Sequence, residues 1–170
     1  MRIWRLRLVL GLFPSVLLVL SFHGLAQIED AQSHADAGIQ FARSGDLGRA
    51  ADELRRAVML APTNAEFQST LGTVLAMDKK LEESSAAFRK ALQFAPQDSM
   101  VRRYLAANLW QLHHYPEAKR ELQIILHEHP NDAQSRLLLG MVSENSGDYS
   151  TAAKMLSSVP GEVEKRPESI

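Results

Sequence analysis

The stretch "SGDLGRAADELRRAV" occupies Ser44–Val58, and "SGDYSTAAKMLSSV" occupies Ser146–Val159. Both open on Ser-Gly-Asp, and both place an alanine pair at the same offset, Ala50-Ala51 in one and Ala152-Ala153 in the other. The phrases begin 102 residues apart, which is three steps of 34. A period of that length implies two more copies between them, and stepping along the chain at that interval finds them. Pro62, Pro96 and Pro130 stand one period apart. So do Ala50, Ser84, Ala118 and Ala152, and so do Leu54, Phe88, Leu122 and Leu156. Gly38, Gly72, Ala106 and Gly140 form another such series, followed three residues on by Phe41, Leu75, Leu109 and Ser143.

Each copy reads as two helices. In the second copy Phe67, Leu71, Val74 and Leu75 recur at helical spacing, and after the polar break "DKK" Leu81, Phe88, Ala91 and Leu92 recur again. Small residues at Gly72 and Ser84, Gly38 and Ala50, and Gly140 and Ala152 let the paired helices approach closely. Each proline closes a copy. Thr63 with Glu66, and Asn131 with Gln134, have the spacing of capping boxes that open the next. Gly45 and Gly147 suit the helix-to-helix turns, and Pro116 suits the first turn of a helix.

The period and its small-residue and proline positions resemble the tetratricopeptide repeat. The resemblance covers about residues 31–164, with copies at about 31–64, 65–98, 99–132 and 133–164, and a polar tail at 165–170. It implies an all-α solenoid of about four helical hairpins, a right-handed superhelix whose first helices line a concave groove. One hairpin alone cannot bury its apolar face, so neighbouring copies complete each other's core. The family often places a large apolar residue near the start of the first helix, where this chain has His34, Gln68, Arg102 and Arg136.

By position in the family, the groove residues for a partner peptide or helix are Arg103, Trp110, Ser69, Thr73, Gln134 and Glu144. Gln32, Ala35, Ala107 and Met141 map to the same face. Arg103 and Trp110 lie seven apart on one helix face, an arginine beside an aromatic, which is a common hot-spot composition. The alternative for Trp110 is packing on the next copy. The terminal-carboxylate clamp used by one subset of the family has no foundation here, because Ala35 and Ile39 stand at its positions.

The first 26 residues, "MRIWRLRLVLGLFPSVLLVLSFHGLA", run from basic (Arg2, Arg5, Arg7) to apolar (Leu8 to about Phe22) to small (Gly24-Leu25-Ala26). That order is a secretory signal, cut after Ala26, with a bacterial periplasm or exterior as the expected destination. An uncleaved membrane anchor is the alternative. The apolar run is shorter than the ~20 residues that cross a bilayer, and Pro14 interrupts it. Loss of the three arginines takes the basic residues from 19 to 16 against 20 acidic ones, a net charge near −4. With no clustered Lys and Arg, nucleic acid is not an expected partner. The absence of cysteine excludes disulfides, a thiol nucleophile and an acylated lipoprotein cysteine.

No motif points to catalysis, and no cofactor or metal is expected. His113-His114 and His127/His129 flank one helix of about 12 residues, so they lie roughly 18 Å apart at about 1.5 Å per residue. They read as solvated turn histidines. "GDLGRAA" follows no strand and is no phosphate loop, and no nucleophile elbow surrounds any serine. Near the end, "SVPG" with Pro160, Gly161 and Pro167 leaves almost no room for a covering helix. That implies either a piece of a longer array or self-association through the uncovered last copy. The function expected is a non-enzymatic protein-binding module outside the cytoplasm. A membrane-tethered structural scaffold is the alternative.

Overall fold

The computed structural model describes residues 30–158. The leader at 1–26, the prolines and glycine after Ser158, and the tail at 165–170 lie outside the described residues. The first helix, α1, is described from residue 30 to 43. It is followed by α2 (Leu47–Leu60), α3 (Ala65–Met77), α4 (Leu81–Phe94), α5 (Ser99–Gln111), α6 (Tyr115–Glu128), α7 (Ala133–Asn145) and α8 (Tyr149–Ser157). No strand occurs among the described residues. The starts of α2, α4, α6 and α8 follow one another at the repeat period, as do those of α3, α5 and α7. Each helix packs on its sequence neighbours, and α3, α5 and α7 also touch one another in order. This is a one-dimensional stack of helical hairpins, an all-α repeat solenoid.

The small residues set the spacing within each hairpin. A β-carbon on Gly38 would sit 2.7 Å from Leu54, one on Gly72 would sit 2.7 Å from Phe88, and one on Gly140 would sit 2.7 Å from Leu156. Those partners are one another's counterparts in the repeat register, so three of the four hairpins use the same glycine-against-large-residue contact. In the third, Ala106 and Leu122 meet the requirement, and both are fully buried. Ser84, the small residue of the second hairpin, is also a polar node: its hydroxyl donates to the Gly72 carbonyl (2.6 Å) and accepts from Asn108 Nδ2 (2.7 Å). This buried node ties α3, α4 and α5 together with each member satisfied.

The turns repeat as well. Residues 45, 79, 113 and 147 occupy the left-handed region in all four hairpins, as Gly45 (φ 84°), Lys79 (φ 61°), His113 (φ 62°) and Gly147 (φ 78°). Glycine adopts this conformation freely, whereas Lys79 and His113 carry a steric cost there. Pro116 stands in the first turn of α6, where its missing N–H has no intrahelical partner to lose.

The capping expectation is corrected by one residue. The caps are Asn64, which accepts from the Glu66 and Phe67 amides, and Asp132, which accepts from the Ser135 amide, and not Thr63 or Asn131. Asp98 does the same for α5. Asn131 instead accepts from the Arg136 guanidinium at 2.9 Å.

The polar residues at the family's apolar position fasten the hairpins from outside. His34 Nδ1 meets Glu53 Oε2 at 2.6 Å, and two copies on, Arg102 Nη1 meets Glu121 Oε2 at 2.6 Å. Both pairs have the same sequence separation, and both run from the first to the second helix of a hairpin. The neighbours Phe67 and Val101 are buried and supply the apolar contact. The second helices are linked in series by Arg55 with Glu83 (2.8 Å) and Arg89 with Glu117 (2.9 Å). Those exposed pairs contribute little stability singly, on the order of 0–1 kcal/mol. Lys119 joins α6 to Asp148, the cap of α8, at 3.0 Å. The Lys119 hydrogen bond, followed by those from Thr151, holds the Asp148 carboxyl below its ordinary value of 3.8.

Candidate functional site

The first helices α1, α3 and α5 enclose a groove of about 400 Å³. Its lining includes Ile39 and Arg43 from α1, and Ser69, Thr73 and Met77 from α3. Asp98, Met100 and Tyr104 come from the start of α5. Helix α3 turns its strongly apolar side, with Phe67, Leu71, Val74 and Leu75 buried, toward the core. The side left over carries hydroxyls, with Met77 at the helix end.

Three apolar members of this lining are unusually open for their size. Met77 is 54 % exposed, Met100 55 % and Tyr104 45 %. Tyr104 is held in place from beneath by Phe88, with ring centroids 5.9 Å apart. A fixed aromatic next to two flexible thioethers makes an adaptable apolar surface. The hydroxyls are occupied locally: Ser69 donates to the Glu66 carbonyl (2.9 Å) and Thr73 to the Ser69 carbonyl (3.0 Å).

Of the six residues expected to form the groove, Ser69 and Thr73 line this space directly. Arg103 lies one copy further, at the junction of α5 with α7. Its guanidinium donates to Asp132 Oδ2 (2.8 Å), Ser135 Oγ (3.2 Å) and Gln134 Oε1. Both partners of the Arg103–Asp132 ion pair are about four-fifths covered, at 21 % and 19 % side-chain exposure. Gln134 and Glu144 are exposed on α7, and Trp110 is half-buried, packed on the buried cluster that α5, α6 and α7 share. Ala35, mapped to the same face, is instead a core residue at 2 % exposure. Met77, Met100 and Tyr104 were not expected. For Met100 and Tyr104 the signal in the sequence is a large apolar residue where the repeat register puts Glu66 and Thr70 in the copy before.

The histidines are not brought together. His113 sits in its turn with Nδ1 2.6 Å from the Tyr115 hydroxyl, and His114, His127 and His129 are exposed. Among the described residues no three His, Asp or Glu side chains are grouped to hold a metal ion.

A stack of helical hairpins with an open apolar groove on its first helices defines a protein-binding repeat scaffold. The tetratricopeptide repeat model matches residues 27–99 and 105–165, and the chain belongs to that family. No curated protein matches the chain. Among solved structures it is similar to a MamA crystal structure at 18 % identity and TM-score 0.73, over 80 % of each chain. It is similar to MamA AMB-1 at 22 % identity and TM-score 0.73, over 82 % of this chain and 76 % of that one. A MamA RS-1 ArsTM double mutant matches at 19 % identity and TM-score 0.72, over 76 % of this chain and 73 % of that one. At these identities the likeness is one of fold.

Proposed function

We propose that the chain is a non-enzymatic interaction module that acts outside the cytoplasm and holds a segment of a partner protein in its concave groove. The observation that carries this reading is the side-by-side exposure of Met77, Met100 and Tyr104 in one groove. An apolar surface of this kind on an otherwise polar face marks an interaction site. Ser69 and Thr73 flank it. Trp110, Gln134 and Glu144 continue the face toward the last copy, and Arg103 fixes the angle between the two parts. Export rests on the basic, apolar and small-residue order of residues 1–26. Among the described residues no helix is long and apolar enough to cross a membrane.

The test is a cross-linked capture from native envelopes with the full chain and a Met100→Ala, Tyr104→Ala variant of matched helicity. The expected result is a partner lost with the variant, and the same partner retained at full yield would sink the groove as the working site. Amino-terminal sequencing of the native protein checks export, with Gln27 expected as the first residue. Self-association is a second reading, favoured by the 72 % exposed Tyr149 on α8 in the last described hairpin. Light scattering separates the two, because a monomer at all concentrations removes the second.

A further inference from the structure

Two junctions along the groove are built on the same frame and differ in one charge. At the α5/α7 junction, Asp132 caps α7 through Oδ1, which accepts from the Ser135 amide, and offers Oδ2 to Arg103. At the α3/α5 junction the counterpart of Asp132, one period earlier, is Asp98. Its Oδ1 accepts from the Met100 and Val101 amides at 3.0 Å, and its Oδ2 takes no hydrogen bond among the described residues. The counterpart of Arg103 is Ser69, whose hydroxyl is turned onto its own helix. The carboxylate oxygen that meets a guanidinium in one junction therefore faces the open groove in the other. It does so beside Met100 and Tyr104.

On the far side of α3, Arg43 is the cation among the groove's lining residues, and no described residue pairs with it. The groove thus has an acid at its α5 edge, a cation at its α1 edge and apolar side chains between. Two steps of 8–10 Å between packed helices, with Asp98 at the start of α5 and Arg43 at the end of α1 offset by up to about 20 Å along the helix axes, separate the edges by roughly 16–28 Å. At about 3.3 Å per residue, an extended segment of about five to nine residues spans that distance.

We propose that the groove takes an extended partner segment that carries a basic side chain for Asp98, large apolar side chains for Met77, Met100 and Tyr104, and an acidic side chain for Arg43. This rests on the groove reading above and adds the chemistry and orientation of the occupant. The guanidinium or ammonium at Asp98 Oδ2 occupies the place that Arg103 takes at Asp132. Arginine fits best, because its planar fork meets carboxylate geometry.

The probes are labelled peptides of about nine residues, long enough to cover the edges at about 3.3 Å each. One has a basic end, an apolar centre and an acidic end. A second has glutamines in place of the charges, and a third has glycines in place of the apolar centre. Binding to the full chain is read by fluorescence anisotropy. The charged peptide is expected to bind about tenfold or more tightly than the glutamine version, in line with charge-assisted hydrogen bonds. Asp98→Asn, which retains the helix cap, removes the basic end's share of that advantage, and Arg43→Gln removes the acidic end's share. Ser69→Arg, checked for unchanged helicity, supplies the missing guanidinium from within the chain and also removes the basic end's share.

Equal affinity for the charged and glutamine peptides, unchanged in Asp98→Asn, overturns the charge assignment and leaves the groove standing. Equal affinity for the charged and glycine-centred peptides overturns the apolar centre. If no peptide binds, the proposed occupant is wrong, and the Met100→Ala, Tyr104→Ala capture then decides whether the groove itself fails.

Discussion

The α3/α5 and α5/α7 junctions share a backbone frame and differ in what meets the cap carboxylate. Both join consecutive first helices one repeat period apart, and both present an aspartate cap at the start of the later helix. In one, Ser69 leaves the cap carboxylate and the apolar side chains beside it facing a groove. In the other, Arg103 spans the gap and fastens Asp132, Gln134 and Ser135. The repeat supplies the frame, and single side chains decide where along it a partner has access.

The largest expected effect tests the frame common to both. Gly72→Ala puts a methyl 2.7 Å from the ring of Phe88, which is 1 % exposed and has no room to retreat. Urea denaturation is expected to show a loss of about 1–3 kcal/mol, the usual cost of overpacking. Because Tyr104 stacks on Phe88, the groove loses its fixed aromatic at the same time. An unchanged midpoint would show that the hairpin spacing is not set by this contact.

Next comes the closed junction alone. Arg103→Ala removes three charge-assisted donors and leaves Asp132 with its backbone bond only. An expected loss of about 1–2 kcal/mol follows, given that charged hydrogen bonds contribute about 1.5–3 kcal/mol and the site retains some solvent. Hydrogen exchange should quicken in α7 and α8 and stay unchanged in α1 to α4. A uniform change would mean that the junction does not separate the halves.

Lys79→Gly relieves a left-handed residue in the hairpin that supplies Met77. The expected gain is at most about 1 kcal/mol, since the steric relief of roughly 1–2 kcal/mol is partly offset by the entropy glycine loses on folding. Thermal melting checks the sign. A destabilised variant would show that the turn's strain is compensated locally.

The smallest effect is acid sensitivity at the far end. The folded carboxyl of Asp148 lies below 3.8 because Lys119 and Thr151 bind its ionised form. Its contribution is therefore complete above the ordinary value and is lost as pH falls through that value toward the folded one. Acid melts of the parent and Lys119→Gln should converge below about pH 4, and parallel curves would remove Lys119 as the cause.

The fold was legible because one period is written many times over. Each small residue, proline and large apolar residue is a separate vote for the same register, so an error at one position does no harm. Single positions were read less well. The Thr63–Glu66 and Asn131–Gln134 spacings satisfy a capping box, yet the register itself aligns Asn64, Asp98 and Asp132, which are the caps. Local spacing lost to the repeat. Ser69 and Thr73, mapped by family position, line the groove, whereas Met77, Met100 and Tyr104 passed as ordinary helix residues. In a sequence an apolar residue reads as core by default, and only accessibility separates one that is buried from one that waits on the surface.

By itself the sequence determined the repeat: its length, its two helices per copy, its tight glycine contacts and the family to which it belongs. Those are consequences of periodicity and side-chain size along one dimension. Tertiary structure alone decided which carboxylates are met and which are left open. Ser69 and Asp98 have the same separation along the chain as Arg103 and Asp132, and nothing local to either pair says that they face each other. Stacking one hairpin on the next brings them into range, and whether the first of the pair is a serine or an arginine then decides whether the carboxylate is met from within the chain.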